Sequence, residues 1–103
     1  MHATIHRYEG VNAGGATEVI GKVNETLVPQ LRELPGFAGY YLIEGDGVLS
    51  SLGLFDSSDQ AAASTEVISK WITDEEITAA LPQAPKITSG YVVAHSAPMI
   101  AVA

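Results

Sequence analysis

Cysteine is absent from this 103-residue chain, which excludes disulfides, thiolate nucleophiles, iron–sulfur clusters and thiolate zinc sites. Basic residues are few: Arg7, Lys22, Arg32, Lys70 and Lys86 are scattered against 12 acidic side chains, for a formal net charge of -7. Nucleic-acid binding gathers lysine and arginine to neutralise phosphates, so nucleic acid is not an expected partner. Long hydrophobic runs are missing too. The apolar stretches are broken by Gly, Ser and acids and fall short of the about 20 residues that span a bilayer. Met1 to Tyr8 is polar and charged where a secretory signal needs an unbroken apolar segment. The expectation is a soluble, cytoplasmic chain with no membrane partner.

What is present is a 47% hydrophobic composition, enough for one domain over residues 1–103. A chain of this size buries only about two-thirds of its unfolded surface, and association with a second copy would add the missing burial.

His2 to Glu9 alternates with the two-residue period of a strand, Ala3 and Ile5 on one side and His2, Thr4, His6 and Tyr8 on the other. After a loop through Gly10, Asn12, Gly14 and Gly15, apolar residues from Ala16 to Leu34 recur at three- and four-residue steps, as on an amphipathic helix. Pro29 interrupts that pattern and predicts a kink or restart. Leu34, Pro35 and Gly36 end it. Phe37 to Glu44 and Val48 to Phe55 read as two strands of a hairpin, with Gly45, Asp46 and Gly47 supplying the positive φ of the turn. Ser57 and its neighbours offer N-cap oxygens to a second helix running to about Leu81, with a possible capping-box restart at Thr73 and Glu76. Ile87 to His95 reads as the last strand.

The order βαββαβ predicts an α+β, ferredoxin-like domain: a four-stranded antiparallel sheet with two helices on one face. The other face is then uncovered and partly apolar, and a homodimer closing sheet against sheet, a dimeric α+β barrel, is the economical solution. The apolar tail from Ser96 to Ala103 is expected to dock, most simply across that dimer.

About 100 residues in this order, with Leu34, Pro35, Gly36 and Phe37 followed by Gly39 and Tyr40, and with a single Trp71 late in the second helix, resemble the antibiotic biosynthesis monooxygenase group of dimeric α+β barrels. The resemblance covers residues 2 to 95. It implies a cavity between sheet and helices, and either oxidation of polycyclic phenols with O₂ without a cofactor or, in other relatives, haem degradation. The haem-degrading pattern of an Asn on the first strand, a Trp on the second helix and a His about ten residues later is met here only by Trp71. His6 lies near the first position and Leu81 at the third, so haem degradation is not implied, and no cofactor is expected. The phenol-oxidising members use Asn, Trp, Tyr and Arg, of which Trp71 alone carries over.

Cofactor-free oxidation of a phenol needs a base, stabilisation of the resulting anion and exclusion of water. His6 is the candidate base, since imidazole titrates near neutrality; a partly exposed strand histidine is the simpler reading. Trp71 is the second candidate catalytic residue, as an indole N–H donor and cavity wall, with a core anchor as the plainer role. Thr4, Tyr8, Tyr41, Tyr91 and His95 are the candidate substrate-binding residues, against interface packing for the tyrosines. His2 and His6 share a strand face but stand about 13 Å apart, too far to ligate one metal, so no metal is expected. Asp74, Glu75 and Glu76 point in different directions from a helix, and Ser50, Ser51 and His95 lack a nucleophile elbow. The expected partners are a second copy and an apolar or aromatic small molecule. The expected function is oxidation of a small phenolic substrate with O₂, with a non-catalytic ligand-binding or stress-associated barrel as the alternative.

Overall fold

The computed structural model describes residues 1–96, so the expected docking of the apolar tail lies outside the described residues. The elements are β1 (His2–Tyr8), α1 (Ala13–Lys22), a π-helical turn (Val23–Leu27), α2 (Val28–Arg32), β2 (Phe37–Gly45), β3 (Val48–Phe55), α3 (Ser58–Asp74), a 3-10 turn (Thr78–Ala80) and β4 (Lys86–Tyr91). The strands pair antiparallel in the order β2-β3-β1-β4, the α+β ferredoxin-like arrangement that the element order predicts. Tyr8 and Leu49 of the sheet join Val19, Val23, Leu27, Leu31, Ile68 and Trp71 of the helices in one core.

The first helical stretch begins where the Asn12 side chain accepts the Gly15 N–H at 2.7 Å. Pro29 explains the interruption. It has no N–H, and its ring would crowd the carbonyl four residues back, so the chain widens by one residue and the Val28 N–H bonds to Val23 O. Pro29 then falls in the first turn of α2, where its missing donor costs nothing.

α3 carries a full capping box, in which Ser57 Oγ accepts from the Gln60 N–H and Gln60 Oε1 accepts from the Ser57 N–H. It ends at Asp74 rather than near Leu81. Glu76 adopts φ 56°, which no continuing helix allows, and the reversal buries Ile77 to 1% exposure. Thr73 and Glu76 therefore belong to a helix exit and not to a restart. Gly36 holds φ 77° and packs directly on the Gln60 side chain, which leaves no room for a Cβ. Gly36→Ala is expected to strain this turn and dislodge the capping box, costing about 2 kcal/mol, read as a lowered denaturation midpoint at unchanged m-value.

In the hairpin, Gly45 pairs with Val48 and remains in the strand, and Gly47 alone of the turn glycines takes positive φ, at 76°. β4 stops at Tyr91 instead of His95. Its last tie to β1 is the Val92 N–H to Met1 O bond at 2.9 Å, next to the Tyr91–His2 pair.

Sidedness is the feature with functional weight. The polar side of β1 is the one the helices cover: His2, Thr4, His6 and Tyr8 are buried, whereas Ile5 is 37% exposed on the other face. The register carries Ser51 and Gly53 of β3 and Tyr40 and Leu42 of β2 to the covered face. Ala3, Ile5, Tyr41, Ile43, Leu52 and Leu54 share the open one.

Candidate functional site

Between the helices and the covered sheet face lies a small cavity of about 20 Å³, room for one water. Tyr8, Tyr40 and Ser51 line it from the sheet, Val23 and Leu27 from the π-helical turn, and Trp71 from α3. Val23, Tyr40 and Leu42 also line a wider groove of about 330 Å³ between the helices and β2, so the two spaces share a wall.

The polar groups around this cavity are under-used. His6 is the cross-strand partner of Ser51, and both side chains are buried, yet neither His6 Nε2 nor Ser51 Oγ has a hydrogen-bond partner. Buried polar atoms are normally paired, because desolvation without a partner costs about 1–3 kcal/mol. The His6 ring lies nearly parallel to that of Tyr8, with centroids 6.5 Å apart. Burial pulls the His6 imidazole below its usual value of 6.5, so the ring is neutral at pH 7 and able to take a proton. Burial pushes the Tyr8 phenol up to about 12, with Tyr40 adding to the rise. Burial also raises Tyr40, and the nearby Ser51 hydroxyl, short of a formed hydrogen bond, offsets part of that rise. Both phenols therefore remain protonated donors near neutrality.

Trp71 is a wall whose N–H is already engaged. Its Nε1 donates to Thr26 Oγ1 at 2.7 Å, and that hydroxyl donates on to Lys22 O at 3.0 Å. Lys22 Nζ in turn donates to Glu75 O at 2.9 Å, a second tie from the α1 segment to the end of α3. Thr26→Val leaves the indole N–H buried and unpaired. The expected cost is about 1–3 kcal/mol in chemical denaturation, with a shift of the emission of this single tryptophan.

The structure separates the residues expected to form one site. Trp71 and Tyr8 line the cavity, and His6 lies beside it. Thr4 sits with His2, Ile87 and Ser89 in a different groove, between α3 and β4. Tyr41 is on the open sheet face, 58% exposed, because adjacent strand residues point to opposite sides. Tyr91 does not reach the open face: it pairs with His2 at the edge of the covered side, 70% exposed, with their rings edge-on at 5.3 Å. His95 lies beyond β4 and is exposed, because the strand ends too early to carry it. Tyr40 and Ser51 line the cavity although neither is among the expected substrate-binding residues. Their signal was the pairing register, since whichever β3 residue faces His6 must share its side.

Solved structures share this architecture. A monooxygenase from Streptomyces coelicolor, in complex with nanaomycin D, superposes with a TM-score of 0.74 at 11% identity, covering 94% of this chain and 91% of that one. The fold is that of the antibiotic biosynthesis monooxygenases. A putative antibiotic biosynthesis monooxygenase from Deinococcus radiodurans matches at a TM-score of 0.72 and 14% identity, covering 96% and 99% of the two chains. A dimeric ferredoxin-like protein from an uncultured marine organism matches at 0.72 and 15%, covering 94% and 91%. No family model and no curated protein matches the sequence. The likeness is one of backbone shape, at identities where activity does not follow from it. Among the described residues, no helix is long and apolar enough to cross a membrane.

Proposed function

We propose that this protein is a cofactor-independent monooxygenase that oxidises a small polycyclic phenol with O₂ between the sheet and the helices. The observation that carries this reading is the pair of unpartnered buried atoms, His6 Nε2 and Ser51 Oγ, beside a cavity walled by Tyr8, Tyr40 and Trp71.

In the proposed reaction, neutral His6 takes the phenolic proton at Nε2, and Ser51 and the two tyrosine phenols donate hydrogen bonds to the developing oxyanion. The phenolate gives one electron to O₂, the resulting radical pair combines at a ring carbon to a peroxide anion, and that anion takes the proton back from His6 Nε2 to form a hydroperoxide. Breakage of the O–O bond and loss of the ring C–H proton then release water and leave a quinone. One oxygen atom of O₂ becomes the new carbonyl and the other leaves as water, so phenol plus O₂ gives quinone plus water. The apolar walls exclude bulk water from the radical pair.

We also propose that the protein works as a homodimer through its open sheet face; a structure of the same fold is described as a dimeric ferredoxin-like protein. A second reading, a non-catalytic binder of an aromatic molecule, is favoured by one observation: the Trp71 N–H is already bound to Thr26 and is not free for substrate.

O₂ uptake with anthrone, above its spontaneous rate, separates the two. Anthrone plus O₂ gives anthraquinone plus water, so one O₂ is consumed per quinone formed. Catalysis predicts that stoichiometry and a rate that falls in Trp71→Phe and His6→Ala. A rate untouched by both substitutions would overturn the catalytic reading in favour of simple binding.

A further inference from the structure

The space that contacts Tyr8, Ser51 and Trp71 holds about one water, far below the roughly 300–1,000 Å³ of ordinary small-molecule sites. The adjoining groove reaches about 330 Å³ and shares Val23, Tyr40 and Leu42 with it. A planar aromatic molecule therefore has room in the groove, against Val23, Tyr40 and Leu42, the same side chains that wall the inner cavity. The groove is apolar along Ile20, Val23 and Val28 and carries one carboxylate, Glu44, on β2. Its other polar side chains are Tyr40 and Asn24, the latter donating its Nδ2 to Ile20 O at 3.1 Å. Glu44, an exposed residue, forms no ion pair among the described residues.

We infer that this groove is the vestibule of the site and that Glu44 makes it selective for neutral or cationic aromatic molecules over anionic ones. The inference rests on the proposed aromatic ligand but not on its oxidation. A carboxylate brought into the groove meets an uncompensated like charge beside low-dielectric walls, on a protein whose net charge of -7 already repels anions. A neutral ring system meets only the apolar wall. A cationic substituent finds a partner in Glu44.

The test uses equilibrium binding of unreactive quinones, read by quenching of the single tryptophan, Trp71. The probes are anthraquinone, its 2-carboxylate and its 2-aminomethyl derivative. The carboxylate is expected to bind about tenfold or more weakly than the neutral quinone, and the amine at least as tightly as the neutral quinone. Glu44→Gln is expected to bring the carboxylate's affinity to within about twofold of the neutral quinone's. Val28→Phe fills much of the groove and weakens binding of all three probes by about tenfold or more. Ala62→Phe, in the separate groove between α3 and β4, leaves binding intact. The inference is overturned if Glu44→Gln preserves the carboxylate penalty, if Val28→Phe binds normally, or if none of the probes quenches. If the selectivity appears and O₂ uptake does not, catalysis is rejected and the charge-selective vestibule stands.

Discussion

Replacing His6 with glutamine is expected to lower anthrone-dependent O₂ uptake by about 10²- to 10⁴-fold, the usual contribution of a positioned general base. The substitution keeps a polar side chain of similar reach while removing the group that titrates. Burial lowers the His6 pKa, so the acid limb of kcat/KM against pH is expected below 6.5 in the wild type and absent from the residual rate of the variant. The groups facing His6 are Ser51, which does not titrate, and Tyr8, held protonated up to about 12, so burial sets the direction of the shift. The same shift has a stability consequence. Below pH 6.5 the unfolded chain takes up a proton at His6 before the native chain does, so native stability falls as pH drops from 6.5 to the lowered native value and levels off beneath it. His6→Gln lacks that component, and its denaturation midpoint is expected to depend less steeply on pH over the same window. A variant that keeps both the wild-type rate and the wild-type pH dependence would remove His6 from the mechanism.

These expectations depend on which way a strand faces, and that is where the sequence is least legible. Alternation in His2 to Tyr8 defined two sides of β1 without saying which the helices cover, because the rule of apolar side inward gives the wrong answer here. Ile5 is on the open face and His6 is buried. The order of elements was legible because each boundary had a local chemical cause: the Ser57 capping box, the turn at Gly47 and the interruption at Pro29. Those causes act within a few residues. The end of β4 had no such cause, since Val92 to His95 alternates as a strand should, and yet the pairing with β1 runs only to Tyr91 opposite His2. The expected site scattered for the same reason. Tyr41 was chosen over Tyr40 although the two differ in nothing but parity, and parity is fixed only once Leu42 is seen opposite Ser51 and Ser51 opposite His6.

Charging the open sheet face is expected to convert the protein from dimer to monomer. Tyr41 and Ile43 are each 58% exposed and share that face with Ile5, Leu52 and Leu54. Soluble monomers seldom leave such a patch wet. A twofold interface places every substitution twice, so Ile43→Asp buries two new carboxylates where two apolar side chains would otherwise pack. Each buried, unpaired charge costs about 3–5 kcal/mol, enough to weaken dimerisation by more than about a thousandfold. Because Ile43 is exposed in the isolated chain, the fold itself should lose little, about 0.5 kcal/mol or less. Light scattering at micromolar concentration should then give about twice 10.8 kDa for the wild type and a single chain mass for the variant, with unchanged circular dichroism. A monomeric wild type, or a variant that stays dimeric, would refute the sheet-to-sheet interface. The monomer also serves as a probe of the site. The cavity and its groove lie on the helix-covered side, away from Ile43, so a folded monomeric variant that still binds anthraquinone would show the aromatic site to be complete within one chain, and one that loses binding would show that the second copy shapes it from behind the sheet.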